Sequence, residues 1–462
     1  MAHSSRRDSS SRSNKKEFAQ DPLKRAVKNP FRHNERPERG TTAPLHRPIA
    51  RVAIQALYQI MIEGRYADKV IERAFKAEKS MGSRDRRQFA EMVYELVRWW
   101  RRYGYAVGWD MSGASDAQPE LADLWAWLAA FLIEKSVKQG GAPTLPAWEE
   151  FQAFQPKLDP RAIANRLSDI DPAKERAIAE SIPDWIDELG QKELGTRWPG
   201  VLHASNQQAP VVLRANTLKC TREDLIQRLK EEEHISASPA HNTENGVILS
   251  ERRNVFSTKT FQDGWFEVQD GASQQISTLL APKPGERVID ACAGAGGKTL
   301  AIGAMMKNKG RLLSLDVEER KLQELRRRVA RAGIDTSEAK LIDSAKVIKR
   351  LENSADKVLL DVPCTGLGVL RRNPDKKWKL KPEELERLRE LQARILDEYS
   401  LMAKPGGIVV YATCSFLPSE NRKQIDAFLK RGAGKFKLLS DRTFWPGEDS
   451  YDGFYAAILQ RT

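Results

Sequence analysis

Two cysteines carry the first chemical suggestion in this sequence. Cys364 stands in Asp361-Val-Pro-Cys-Thr-Gly366 and Cys414 in Thr413-Cys-Ser415, each just after a short apolar run. Those runs, Val358 to Leu360 and Ile408 to Ala412, read as buried strands, so both thiols fall at strand ends. A thiol placed so can serve as a nucleophile toward a pyrimidine. Carbon 5 of the ring is too weakly basic to take a methyl group directly. A thiolate adding to carbon 6 makes carbon 5 enolate-like, and loss of its proton and of the thiol then completes a substitution. Such chemistry needs a depressed thiol pKa, a proton donor near N3 and a base lifted from its stack. Cys364, Cys414 and Asp361 are of the right kind. Free cysteine is more commonly a small buried hydrophobe, and it is the shared location of the pair that favours the chemical reading.

The elements that position these groups centre on Arg287 to Thr299, Arg-Val-Ile-Asp-Ala-Cys-Ala-Gly-Ala-Gly-Gly-Lys-Thr. Val288-Ile289 predicts a strand ending at Asp290, then a loop of small residues, then a helix from Lys298 to Met306. Small residues let a ligand approach backbone N–H groups and the positive end of the helix. A phosphate-binding P-loop would need Gly where Cys292 stands, and a dinucleotide fingerprint would need Gly at Thr299. The looser glycine-rich turn of a class I S-adenosylmethionine (AdoMet) methyltransferase remains, against a plain strand-turn-helix connection. The next run, Arg311 to Val317, ends in an acid, Asp316, 20 residues beyond Gly296. A carboxylate there can accept bonds from a ribose hydroxyl pair. The helix over 318–332 carries Leu322, Leu325 and Val329 on one face and stops at Gly333.

At 462 residues the chain should hold two or three domains plus tails. A net charge of +13 points to a polyanionic partner, although a basic surface alone would account for it. The four cysteines form no C-x-x-C pair and the six histidines show no ligand spacing, so no metal is expected. This pattern suits a reducing compartment. No run of 18 apolar residues and no signal-like h-region are present, which leads to an expectation of a cytoplasmic protein without a membrane span. Residues 1–47, rich in Ser, Arg, Lys and Asn, should form a disordered basic tail.

From Pro48 a helical period begins. Ile54, Leu57, Tyr58 and Met61 form one stripe, Phe89 to Trp100 a second, and Leu121 to Phe131 a third. An all-helical domain over 48–195 follows, with the basic stretch 83–87 at a helix start. A linker containing Trp198-Pro199-Gly200 leads to a small α+β unit, 210–268. In it Thr221 and Asp224 cap a helix, and strands are expected at 211–214, 247–249 and 265–268. The α/β remainder, 269–462, continues with strands at 341–343, 358–361 and 408–412, a long helix from Pro382, and a closing hairpin near 436–439 and 454–459. In open α/β sheets ligands bind at the carboxyl ends of the strands. Asp290, Asp316, Asp343, Asp361, Cys364 and Cys414 all fall there.

Together, Asp290-Ala-Cys-Ala-Gly-Ala-Gly-Gly-Lys-Thr299, Asp361-Val-Pro-Cys-Thr-Gly366 and Thr413-Cys-Ser415 resemble the RsmB/Fmu/Sun family of RNA cytosine-5 methyltransferases. So do Arg214-Ala-Asn216, Val268-Gln-Asp-Gly271 and Asp452-Gly-Phe-Tyr455. The resemblance covers 211–460, and 48–104 more weakly resembles a helical RNA-binding domain similar to the antiterminator NusB. It implies a Rossmann-like methyltransferase domain preceded by a small RRM-like unit and a NusB-like domain. By resemblance Cys414 is the nucleophile and Cys364 assists release of the methylated base; the residues alone leave that order open. Cys292, Ala293, Gly294, Ala295, Gly296, Gly297 and Lys298 would wrap the methionine part of AdoMet. Asp316 would hold the ribose, Asp343 would face the adenine, and Asp361 would lie between cofactor and cytosine. The family usually has Ala-Pro where Gly294-Ala295 stands, so this loop should be more flexible.

Arg371-Arg372-Asn373-Pro374-Asp375-Lys376-Lys377-Trp378 combines basic residues with an aromatic, a composition suited to phosphate contact and base stacking. Arg371, Arg372, Lys376 and Trp378, with Arg214, are therefore the expected RNA contacts, a solvated basic loop being the alternative. The whole reads as a monomeric enzyme that makes 5-methylcytidine in RNA, with small-subunit (16S) ribosomal RNA as substrate. A tRNA-modifying enzyme and a catalytically idle assembly factor are the rival readings. Intact Cys364 and Cys414 speak against the idle factor.

Overall fold

The structure, a computed structural model, describes residues 45–109, 118–154, 158–432, 434–448 and 451–462. The tail expected to be disordered lies, up to residue 44, outside the described residues.

The three apolar stripes become the helices Arg47–Met61, Ser83–Arg98 and Leu124–Lys138. Ile54, Leu57, Phe89, Val93, Leu96 and Leu128 are buried in one core that ends near Leu167. The third helix is apolar nearly all round because neighbours cover it on several sides. Its Trp127 stacks on Trp100 with ring centroids 4.7 Å apart and donates its indole N–H to the Trp100 carbonyl.

From Ile182 onward the chain packs elsewhere. Ile182, Ile186, Trp198 and Leu202 share a core with Leu367, Leu370, Leu385 and Phe416 of the α/β domain. The helical domain read as 48–195 is thus split near 170–182. The expected linker is instead a 3-10 turn, Gly195–Arg197, and a helix, Trp198–Asn206. Trp-Pro-Gly looks like a turn, but proline in the first turn of a helix gives up no hydrogen bond. Trp198 is fully buried, and a Cβ on Gly190 would overlap its ring.

The small unit is an antiparallel sheet of β1 (Val212–Ala215), β2 (Ala237–Pro239), β3 (Gly246–Leu249) and β4 (Phe266–Val268), in the order β2-β3-β1-β4. Thr221 and Asp224 cap its helix reciprocally, as their spacing predicts.

The main sheet holds β5 (Arg287–Asp290), β6 (Arg311–Asp316), β7 (Ser337–Leu341), β8 (Ala355–Asp361), β9 (Ala403–Thr413), β10 (Phe436–Phe444) and β11 (Phe454–Arg461). Its order is β10-β11-β9-β8-β5-β6-β7, with β5 to β9 parallel and the final hairpin antiparallel. Val358, Leu359 and Leu360 are all buried because both faces of the sheet are covered. The strand order reverses between β5 and β8, and the crevice beyond their carboxyl ends is where such sheets take ligands. The third parallel strand ends at Leu341, which leaves Asp343 in the following loop rather than at the strand terminus.

Candidate active site

Register brings the two thiols together. Asp361 of β8 lies opposite Ala412 of β9, so the loops leaving these strands run side by side. The Cys364 and Cys414 sulfurs stand 3.3 Å apart. Gly368 N–H donates to the Cys414 carbonyl at 3.0 Å, tying the two loops at the backbone. The Cys414 loop is further held by Thr413 Oγ1 donating to Asn421 Oδ1 at 2.6 Å and by Asn421 Nδ2 donating to the Ser415 carbonyl at 3.0 Å.

The pair is electrostatically unequal. The hydrogen bond from Cys364 lowers Cys414, burial opposes it, and the Lys376 and Lys298 ammonium groups assist, leaving Cys414 below the ordinary thiol value. Cys364 is pushed well above it, by that same bond, by burial and by the nearby Glu420 carboxylate. Glu420 is fully buried and accepts from Thr365 N, Thr365 Oγ1 and Gln392 Nε2. The two sulfurs are thus unequal, Cys414 displaced toward the thiolate and Cys364 toward the thiol, the direction a sulfur nucleophile requires.

Lys298, from the first turn of the Gly297–Met305 helix, donates to Asp361 Oδ2 at 2.5 Å. Burial pulls the ammonium down, but Asp361 outweighs it and keeps the lysine charged. Asp290 is buried behind them; its Oδ2 accepts from Thr299 Oγ1 at 2.7 Å, while Oδ1 has no partner among the described residues. Burial, opposed by Thr299 and aided by Asp361, pushes this carboxyl up to about 7.

Between β5 and the helix, Gly294 and Gly296 both take the left-handed conformation, φ +56° and +90°. Asp316 fixes the loop: Oδ2 accepts from Gly294 N at 2.9 Å and Oδ1 from Glu318 N at 2.8 Å. A Cβ on Gly294 would meet nothing within 4 Å, so open space lies over the loop. A cradle that holds the Asp316 and Asp361 carboxylates repels phosphate and suits a ligand with ammonium and sulfonium centres, so the residues present fit AdoMet. Cys292 and Ala293 form the near wall, and burial raises the Cys292 thiol well above its ordinary value, which leaves it inert. Asp343 is exposed at the rim and accepts from Ser344 Oγ.

The expected RNA contacts are placed differently. Arg371 is buried, donating to the Gln207, Gln208 and Tyr451 carbonyls. Arg372 pairs with Asp270 and Asp452 and donates to the Pro210 carbonyl. Trp378 donates to the Val97 carbonyl at 2.7 Å and packs on the helical core. Arg214 is buried, bonded to Gln269 Oε1 and the Gly297 carbonyl. Four of the five side chains thus join domains instead of facing solvent; Lys376 alone is half-buried against Gly366, in the loop that carries Cys364. The motifs quoted above for the resemblance prove to be bonded to one another, Arg372 linking Asp270 to Asp452 and Arg214 linking Gln269 to the glycine loop. Glu420 and Asn421 carry no signal in the sequence, since polar residues in loops read as exposed.

A family model described as 16S rRNA methyltransferase RsmB/F matches residues 277–460, and one for a ferredoxin-like domain of RsmF/B-like methyltransferases matches 182–256. The second begins where the helical core gives way to the core shared with the α/β domain. A Vibrio cholerae protein named ribosomal RNA small subunit methyltransferase B is 36% identical over 60% of this chain, and the match spans 65% of its own length. A protein of the same name from Shewanella oneidensis is 35% identical over 61% of this chain and 67% of its own. Among solved structures, a methyltransferase homolog from Pyrococcus horikoshii superimposes with a TM-score of 0.56 at 27% identity, covering 63% of this chain and all of that one.

Proposed function

The chain belongs to the RsmB/F family, and from that premise we propose that it methylates carbon 5 of a cytidine in small-subunit ribosomal RNA, using AdoMet and a covalent bond to Cys414. The observation that carries this reading is the pair of cysteine sulfurs, 3.3 Å apart, in the same site as the Lys298–Asp361 ion pair.

AdoMet would be held by 292–298, Asp316 and the rim acid Asp343, and when bound supplies an electrophilic methyl group. The protein's own groups do the rest. The Cys414 thiolate forms a bond to carbon 6 of a flipped cytosine, and the displaced π pair moves toward N3 and carbon 5. Lys298 and Asp361 hold a proton at N3 as charge develops there. After carbon 5 has been methylated it gives its proton to solvent, N3 returns the proton it took to the Lys298–Asp361 pair, which is again ammonium and carboxylate, and the carbon 5–carbon 6 double bond re-forms. The carbon 6–sulfur bond breaks with its electron pair left on Cys414. Cys364 S–H, 3.3 Å away, donates to that sulfur as the charge returns, so the pair ends as it began.

Bisulfite sequencing of total RNA from cells with and without the protein tests the reading. A cytidine in small-subunit RNA should lose protection when the protein is removed. Loss confined to tRNA would move the substrate, and no loss anywhere would leave the idle assembly factor.

A further inference from the structure

The attack proposed above ionises one sulfur of the Cys364–Cys414 pair, 3.3 Å apart in a half-buried place, and something must balance that charge. Four charged groups bear on it, besides each thiol on the other: Lys298 on the helix after the glycine loop, Asp361 at the end of β8, Lys376 on the short Lys376–Lys379 helix and Glu420 beyond β9. Two are carboxylates, which oppose the charge. Lys298 is already committed to Asp361 at 2.5 Å. That leaves Lys376.

Its neighbours along the chain are occupied. Lys377 donates to Asn206 Oδ1, and Lys379 to Asp375 and the Arg65 carbonyl. Among the described residues nothing accepts a hydrogen bond from the Lys376 ammonium. The side chain is half-buried and lies against Gly366, two residues after Cys364, so closely that a Cβ there would overlap Nζ. Gly366 is in the left-handed conformation, φ +70°, so glycine serves both the turn and the lysine's approach. The backbone of Lys376 is set by its N–H on the Asn373 carbonyl and its own carbonyl on Leu380 N.

The geometry points to Lys376 as the counter-cation of the thiol pair, a positioning residue that keeps one sulfur of the two ionised for attack. Glu420 beside Cys364 and Lys298 beside Cys414 then decide which sulfur that is. The role rests on the thiol chemistry proposed above for its purpose, but not for its measurement.

Carboxamidomethylation of the full chain by iodoacetamide, without RNA or AdoMet, reads each cysteine separately by peptide mass spectrometry across about pH 5 to 10. In the wild type Cys414 should label with a midpoint below the ordinary ~8.5 of a free thiol. Lys376→Gln should raise that midpoint by about one unit, so that labelling at lower pH slows ~tenfold, whereas Lys376→Arg should keep the wild-type midpoint. Methyl transfer by Lys376→Gln should show its acidic limb displaced by the same amount. Cys220, far away in the α+β unit, labels alike in every variant that keeps its fold; Lys376→Met, which keeps the aliphatic stem on Gly366, replaces Lys376→Gln should the latter fail that check. An unmoved midpoint overturns the proposal, as does a shift equally large in Lys376→Arg. An unmoved midpoint with a flatter salt dependence of RNA binding would assign Lys376 to a phosphate instead. Since labelling needs neither substrate, its failure leaves the methylation reading standing, and the converse holds.

Discussion

Arg372→Ala asks whether the segment after Cys364 is a joint between domains or a surface for RNA. Arg372 Nε donates to Asp452 Oδ2 at 2.6 Å, Nη2 to Asp270 Oδ2 at 2.9 Å and Nη1 to the Pro210 carbonyl at 3.1 Å. Asp452 is 1% exposed and Asp270 9%, and among the described residues Asp452 Oδ1 has no hydrogen-bond partner. Removing the guanidinium leaves two buried carboxylates facing each other. Breaking a buried pair from one side costs about 3–5 kcal/mol, chiefly through the uncompensated charge left behind. The cost depends on pH in a defined direction. Burial first, then Asp270, pushes the Asp452 carboxyl up to about 6 even with Arg372 attached. That lies above the unfolded value of about 3.9, so the folded state takes up the proton, and without Arg372 it does so at still higher pH. The loss is therefore largest above about pH 7 and shrinks as the pH falls through the folded value. Urea titration followed by tryptophan fluorescence should show the variant less stable by ~3 kcal/mol at about pH 8 and by about half of that or less at pH 5. A loss under ~1 kcal/mol, or one equal at both pH values, would refute the buried-pair argument. Unchanged stability with a flatter salt slope for RNA binding would return Arg372 to the RNA interface.

Asp316→Ala should weaken AdoMet binding by roughly 1–3 kcal/mol in calorimetry, since it removes a charged acceptor and frees Gly294 N–H and Glu318 N–H together. Cys414→Ala should abolish methylation and form no adduct, whereas Cys364→Ala should accumulate an AdoMet-dependent protein–RNA adduct on denaturing gels; an adduct trapped by Cys414→Ala instead would reverse the roles. Asp290→Asn should gain stability over the wild type as pH rises from about 4 to 7, by up to ~4 kcal/mol. The wild-type carboxyl is protonated when folded up to about 7, and its contribution is lost as the pH climbs through that value. Parallel stability curves for the two proteins would show that this carboxyl is ionised in the fold.

The crevice was legible in the sequence because buried parallel strands leave apolar runs with abrupt polar ends: Val288-Ile289 before Asp290, Val358 to Leu360 before Asp361. The shared location of Cys364 and Cys414 followed from the same rule. Their inequality did not, because it depends on Lys298, Lys376 and Glu420, brought together from three separate elements. The segment 371–378 shows the opposite failure. Basic residues with an aromatic have the same composition whether they meet RNA or a neighbouring domain, and the partner carbonyl of Trp378 lies 281 residues away. The Trp198 helix was missed since proline and glycine signal a break unless burial of the tryptophan is known.

The clasp around that segment bears on how the chain is made. Arg98 donates to the Leu370 and Arg371 carbonyls, Trp378 donates to Val97 and Ala67 N–H donates to Asp375, across separations of 272, 273, 281 and 308 residues. At synthesis rates of about 5–20 residues per second, the helical bundle, complete near Leu167, leaves the ribosome roughly 10–40 s before the segment it will grip. Its own contacts are local and form in a small fraction of that time. The bundle thus waits, already folded, as a mould against which the stretch beyond Cys364 sets, and a nascent chain halted before Leu370 should already show it resistant to protease. An amino-terminal lesion far from any reacting atom would then be felt as a badly cast thiol loop.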